Sequence, residues 1–278
     1  MSAGDGLSTA DHRRVSDYIG RVAGIQLPDY KRKLVEARLR KRMRATGHGD
    51  FSEYLDFVLS PAGESVEQIM LVDALTTNKT DFFREPGHFQ FLERYLRGRL
   101  EKAPPDRPLR VWSAACSSGE EAFSLAILLS ELALEFQRLE FRIEATDIAP
   151  SMLDKTRQGI YPEDRVKPVP LELRKRYFLR SRDPVKRLVR MGPALRSHLN
   201  VRPLNLIFDD YGPDGHYDVI FCRNVMIYFN QMDRASIVQR MNRALVPGGL
   251  LFVGHSESIR SYQAGFISEE PAVYRKRD

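Results

Sequence analysis

The residues best placed to do chemistry begin at Ser113. The run Ser113-Ala114-Ala115-Cys116-Ser117-Ser118-Gly119-Glu120-Glu121 is a string of small side chains closed by two acids. It follows Leu109-Arg110-Val111-Trp112-Ser113, which reads as a buried strand. It precedes a stretch to Glu135 in which Phe123, Leu125, Ile127 and Leu128 predict a helix. In an open parallel sheet, ligands bind beyond the carboxyl ends of the strands, and small residues there let backbone approach a nucleotide. The turn lacks GxGxxG, which weakens a nicotinamide reading. Two acids at a helix start repel a pyrophosphate but suit the sulfonium or amino group of S-adenosylmethionine. Asp147, at the end of the predicted strand Phe141 to Thr146, can accept from both ribose hydroxyls or can cap the helix that Pro150 opens, and both roles stay open. The six histidines are scattered, no HExxH occurs, and Cys116 and Cys222 lie in neither ligand nor disulfide spacing. Both cysteines are read as thiols and no metal site is expected. Cys116 sits in the small-residue turn itself and is not expected to act as a nucleophile.

The elements that must hold these residues follow from periodicity. Strand and helix alternate from Leu109: Tyr217 to Cys222 is a strand, Asn230 can cap a helix running to Leu245, and Pro247-Gly248-Gly249 stops it before the strand Leu250 to Val253. Such alternation predicts a doubly wound, mostly parallel α/β sheet covered by helices, a Rossmann-like domain over 77–278. Residues 163–202 interrupt it with basic, proline-punctuated runs, so an insertion is expected there. Residues 1–76 read differently. From Thr9 to Thr76 the apolar residues recur at helix spacing, as in Val15, Tyr18, Ile19 and Val22 and in Val35, Leu39 and Met43, with breaks at Leu27-Pro28-Asp29, Gly47-His48-Gly49-Asp50 and Ser60-Pro61-Ala62-Gly63. A small all-helical N-terminal domain is predicted.

The net charge is +6 with a pI near 9.3, which favours an acidic partner. The excess is local: Lys31, Arg32, Lys33, Arg38, Arg40, Lys41, Arg42 and Arg44 crowd one segment. As a helix from Tyr30 to Ala45 it presents basic heads while Val35, Leu39 and Met43 pack inward. The residues before Asp11 carry no basic-then-apolar signal pattern, and no stretch offers the ~20 apolar residues of a membrane span. A cytoplasmic protein without direct membrane insertion is expected.

Five blocks, in this order and spacing, resemble the CheR family of chemotaxis receptor glutamate methyltransferases over nearly the whole chain. They are Asn78-Lys79-Thr80-Asp81-Phe82-Phe83-Arg84, Ser113 to Glu121, Ala145-Thr146-Asp147-Ile148, Phe221-Cys222-Arg223-Asn224-Val225-Met226-Ile227-Tyr228-Phe229 and Gly254-His255-Ser256-Glu257. Ser118 stands where the family usually has Thr, and Ala122-Phe123 where it has Pro-Tyr. The resemblance implies S-adenosylmethionine as cofactor, S-adenosylhomocysteine as product and receptor glutamates as substrate, converted to 5-O-methyl esters. It implies that Asn78, Thr80 and Arg84 reach the cofactor, that Glu121 and Asp147 hold its amino and ribose groups, that Asn205 and Leu206 flank the adenine, and that Arg223 and Asn224 complete the pocket. Arg84 and Tyr228 are expected to steer the reacting carboxylate at a mouth lined by Phe82, Phe83 and Met226. Arg38, Lys41 and Arg42 are expected to dock on the cytoplasmic part of methyl-accepting chemotaxis receptors. The insertion at 171–201 corresponds to a small antiparallel β subdomain that in some members binds a receptor tether. The turn Arg180 to Arg187 lacks the glycines associated with tether binding. No coiled coil is evident and a monomer is expected. A nucleic-acid methyltransferase is disfavoured because no Asn-Pro-Pro-Tyr-like motif or RNA-binding module occurs. A non-catalytic sensor would have lost the pocket's polar residues, and they are present.

Overall fold

Ser8 opens the first helix by accepting the Asp11 N–H on its hydroxyl, and Gly24, left-handed at φ 70°, closes it. The architecture is that of a computed structural model, which describes residues 6–60, 65–103, 106–183, 185–262 and 265–278. The break read at Ser60 to Gly63 lies, after Ser60, outside those residues, as does Pro184 of the turn at Arg180 to Arg187. Four helices come first: α1 (Thr9–Ala23), α2 (Arg32–Thr46), α3 (Phe51–Leu59) and α4 (Ser65–Leu75). On α2, Val35, Leu39 and Met43 share the inward face expected of them. They join Val15, Ile19, Tyr54, Leu55, Leu71 and Leu75 in one apolar cluster.

After α5 (Pro86–Leu100) come β1 (Leu109–Ala114), α6 (Glu120–Glu135), β2 (Phe141–Asp147), α7 (Pro150–Gln158) and β3 (Ile160–Pro162). Then follow α8 (Leu171–Tyr177), β4 (Phe178–Arg180), β5 (Leu188–Met191), α9 (Pro193–Arg196), β6 (Leu199–Pro203) and β7 (Tyr217–Cys222). Last are α10 (Gln231–Ala244), β8 (Leu245–Val253), β9 (Phe266–Glu270) and β10 (Val273–Lys276). The large sheet has the order β6-β2-β1-β7-β8-β10-β9, parallel from β6 to β8 and antiparallel at its last two strands. Alternate residues feed two cores: Val111, Phe221 and Phe252 face one side, and Trp112, Cys222 and Val253 the other. Both faces are covered, which is why β7 is apolar almost throughout and buried at every position. From β1 the chain moves outward through β2 to β6, then returns to lay β7 on the opposite flank of β1. The crevice at that reversal is where such sheets bind ligands.

The insertion differs from its expected bounds. The antiparallel sheet β3-β5-β4 starts at Ile160 rather than near Leu171, because Tyr161 pairs with Val189 far along the chain and so short a strand has no local periodicity. Leu199–Pro203 leaves the insertion altogether and lies parallel to β2 in the large sheet. The last parallel strand also starts earlier than expected, at Leu245 directly after α10. Pro247-Gly248-Gly249 is taken into the strand as an irregularity, with Gly248 left-handed at φ 70°, at the place where its register with β7 shifts. Asn230 caps α10 by accepting the Asp233 N–H, as its position suggested. Among the described residues no helix is long and apolar enough to cross a membrane.

Candidate cofactor and active site

The turn after β1 is built from unusual backbone. Ala115 and Ser117 have φ of 62° and 51°, and Gly119 has φ 95° as the cap of α6. At Gly119 a side chain would also collide with Thr156, whose methyl and hydroxyl lie 2.9 Å from the position of a Cβ. Asp147 fixes this turn from β2: one carboxylate oxygen accepts the Ser117 N–H at 2.8 Å and the other the Ala149 N–H at 2.9 Å. The cap reading is not realised in full: Ala149 is the N-cap of α7, no side chain caps that helix, and Asp147 bonds the amide of the cap residue itself, leaving further acceptor positions on its carboxylate. Its burial pushes the carboxyl pKa up, against the lowering by its amide donors.

The two glutamates that open α6 part company. Glu120 is buried at 1% exposure and bonds Arg165 at 2.8 Å and the Ser118 hydroxyl at 2.6 Å, away from the crevice. Glu121 faces the crevice, held by the Ser113 hydroxyl at 2.6 Å and by Arg223 at 3.1 Å. Arg223 itself is buried. It spans Glu121 and Glu85, lies 5.7 Å from the ring centres of Phe89 and Phe221, and donates to the Arg84 carbonyl. Burial raises the Glu121 carboxyl pKa, with Arg223 and Ser113 opposing.

These groups open on a void of ≈ 1160 Å³, its mouth included, whose walls come from both the sheet and the helical unit. It brings together Asn78, Thr80, Arg84, Glu121, Asp147, Asn205, Leu206, Arg223, Asn224 and Tyr228, the residues expected around the cofactor and the reacting group. Arg84 is half-buried, donates to the Lys79 carbonyl at 2.9 Å, and enters no ion pair among the described residues. Asn78 donates to the Thr76 hydroxyl at 3.0 Å and its carbonyl accepts the Ser117 hydroxyl at 3.0 Å, while Asn205 donates to the Val22 carbonyl at 2.9 Å, so the Asn78 carbonyl and the Asn205 side chain stitch the helical unit to the sheet. Phe82 and Met226 lie in the core and Phe83 packs edge-on against Phe89, so none of the three lines the void. Its apolar walls are Ile25, Leu27, Leu34, Leu204, Leu206 and Phe229 instead.

The docking arginines also depart from expectation. Arg38 turns inward and donates to the carbonyls of Leu75 and Thr76 at 2.6 and 2.8 Å, lining the void as it does so. Arg42 forms a two-pronged pair with Glu67, which also accepts from Tyr54 at 2.7 Å. Only Lys41 of the three is exposed. Sequence reasoning missed Lys31, whose ammonium lies 5.3 Å from the Tyr228 ring centre, and Glu85, which binds Arg223. Glu85 directly follows the Asn78–Arg84 block, which was its one signal. Glu85, His88 and His255 also hold potential metal-ligating atoms within 4.8 Å of one another. Glu85 is already committed to Arg223 and Asn224, so the group reads as the arginine's cradle.

Acids facing a partly apolar crevice at the reversal point of a parallel sheet fit the ammonium, ribose and adenine of S-adenosylmethionine, and the fold and site are those of a methyltransferase that uses it. Two family models match: "CheR methyltransferase, all-alpha domain" at residues 10–76 and "CheR methyltransferase, SAM binding domain" at residues 78–274. The chain belongs to the CheR methyltransferase family. It is 42% identical over 248 residues to chemotaxis protein methyltransferase 2 of Pseudomonas aeruginosa, covering 89% of this chain and 86% of that one. It is 40% identical over 268 residues to the chemotaxis protein methyltransferase of Escherichia coli, covering 96% and 91%. A solved methyltransferase from Geobacter sulfurreducens in complex with S-adenosylhomocysteine overlaps 67% of this chain and 54% of its own, at 13% identity and a TM-score of 0.35, too slight a likeness to argue from.

Proposed function

We propose that this enzyme methylates glutamate side chains in the cytoplasmic part of chemotaxis receptors, yielding glutamate 5-O-methyl esters and S-adenosylhomocysteine. The relatives named above are chemotaxis methyltransferases. The observation that carries the substrate class is the charge layout of the void. The carboxylates Glu121 and Asp147 and the cations Arg84 and Lys31 all line it with Tyr228, the Lys31 ammonium lying 5.3 Å from that ring's centre.

S-adenosylmethionine, when bound, supplies a methyl group on a sulfonium sulfur. A glutamate carboxylate, with a reference pKa near ~4.3, is ionised at neutral pH and needs no base to attack it. The protein's task is alignment and exclusion of water, and alignment of this kind can contribute up to ~7–11 kcal/mol. Asp147 and Glu121 hold the ribose and ammonium ends, and Leu204 and Leu206 give an apolar wall to the base. Arg84, free of ion pairs among the described residues, and Tyr228 orient the incoming carboxylate, with Lys31 adding attraction. The exposed Lys41 and Arg44 of α2 guide an acidic receptor bundle toward the mouth.

The test is transfer of radiolabelled methyl from S-adenosylmethionine to receptor-containing membranes. Label released by alkali as methanol supports a carboxyl ester, and label stable to alkali, or none despite cofactor binding, overturns the proposal.

A further inference from the structure

The block Gly254-His255-Ser256-Glu257 has no part in the chemistry above. We propose that Glu257 is a positioning residue whose carboxylate, seated in room left by Gly254, latches the segment Arg223–Tyr228 in the conformation that brings Tyr228 and Asn224 to the void.

Glu257 is 8% exposed and forms no ion pair with a lysine or arginine among the described residues. Its partners are backbone amides. One oxygen accepts the N–H of Asn224 at 2.7 Å and of Gly254 at 2.7 Å, and the other accepts the N–H of Ile227 at 3.2 Å. One carboxylate thus ties the segment after β7 to the end of β8. Asn224 needs such a tie, because its φ of 58° lies in the left-handed region, which costs a non-glycine residue about 1–3 kcal/mol. Bonds from amides to an ionised acceptor are the stronger kind and offset that cost. Gly254 makes the approach possible: a Cβ there would lie 2.4 Å from Asn224 Nδ2 and 2.8 Å from the bonded Glu257 oxygen. Arg223 has a second anchorage in Glu85 and Glu121. Tyr228 is tied on one side within the latched segment, by its own N–H to the Val225 carbonyl at 3.1 Å and through the neighbouring Ile227 amide, and on the other by its carbonyl, which accepts the Gln26 N–H at 2.8 Å. Loosening the latch therefore displaces Tyr228 before it displaces Arg223.

The inference rests on the role given to Tyr228 and Asn224 above, and a double-mutant cycle separates the two. Melting temperature, S-adenosylhomocysteine affinity, and kcat and KM for receptor methylation are measured for the wild type, E257Q, Y228F and the double variant. Glutamine keeps the size but turns an N–H toward one of the three amides. A displacement of about 1 Å can cost roughly 100-fold in rate, so E257Q is expected to keep its receptor KM, lose about 100-fold in kcat, and lose nothing further when combined with Y228F. Losses that multiply in the double variant, or an E257Q kcat within about threefold of wild type, overturn the latch. Should E257Q not fold, G254A perturbs the same bonds and enters the same cycle. If Y228F alone is fully active, the role of Tyr228 fails instead. The latch is then judged by cofactor-product affinity, which E257Q must weaken about tenfold or more through Asn224.

Discussion

Arg84 and Arg223 are neighbours in the site with opposite employment. Arg223 is buried and spends its charge on Glu85 and Glu121, whereas among the described residues the Arg84 guanidinium bonds a carbonyl and no carboxylate, which leaves its charge open to a ligand on the proposed reading. Arg84→Ala should therefore fold normally and lower methyl-transfer turnover by about 100-fold through lost alignment, read as kcat in the radiolabel assay. Near-normal turnover would remove Arg84 from the mechanism. Asp147 holds the small-residue turn, and hydrogen bonds to a charged acceptor are worth about 1.5–3 kcal/mol. Asp147→Ala should weaken S-adenosylhomocysteine binding by tenfold or more, as calorimetry would register. His88 is expected to add to the acid sensitivity of the fold. Burial and the nearby Arg223 press its pKa down to about 4, so the folded protein keeps it neutral while the unfolded chain, at about 6.5, takes up a proton. Its contribution is full above pH 6.5 and drains away as pH falls toward 4, at about 1.4 kcal/mol per pH unit. Denaturant titrations at several pH values should show His88→Gln with a flatter stability profile than wild type in that window.

At the scale of elements, α2 does more building than recognition. Its Arg42 closes on Glu67 of α4, and that glutamate is 7% exposed. Arg42→Ala strands a buried carboxylate and should destabilise the fold by about 1–3 kcal/mol, measured as a fall in melting temperature. Regular elements were legible in the sequence wherever the signal was local. The small-residue run marked the start of α6, Asn230 marked that of α10, and the spacing of Val35, Leu39 and Met43 gave the inward face of α2. What was not legible depends on distant partners. Ile160–Pro162 is a strand only because Leu188–Met191 lies beside it, and Leu199–Pro203 joins the large sheet only through β2. The basic segment looked uniform in composition; the spacing that gave its inward face sets Lys41 opposite that face and Arg38 and Arg42 nearer to it, but their partners, the Leu75 and Thr76 carbonyls and Glu67, lie far along the chain. Within the five blocks Asn78, Thr80, Arg84, Glu121, Asp147, Arg223, Asn224 and Tyr228 came together on the void, whereas Phe82, Phe83 and Met226 did not, and the roles of Lys31, Glu85 and Glu257 were hidden because they come from contacts across the chain.

The void is lined by residues of both the sheet and the helical unit, so on the proposed function the surface that meets the receptor is continuous with the wall that holds the cofactor. With exposed cations on α2 leading there, association with an acidic receptor should weaken as ionic strength rises past the ~10 Å screening length of 0.1 M salt. Lys41→Glu should raise the receptor KM several-fold at low salt and have a shrinking effect at high salt, with kcat unchanged. The small sheet is not a detachable appendage either. Arg165, between β3 and α8, bonds Glu120 and Asp81 and donates to the Thr80 carbonyl, while Tyr161 of β3 donates to the Ser118 carbonyl at 2.7 Å. Anyone exchanging β4 and β5 between relatives to redirect them to other receptors would therefore have to place the splice after Arg165 and leave β3 in the host. A graft that begins before Tyr161 imports a foreign floor for the cofactor turn, and the chimera would lose methyl transfer for reasons unrelated to its new specificity.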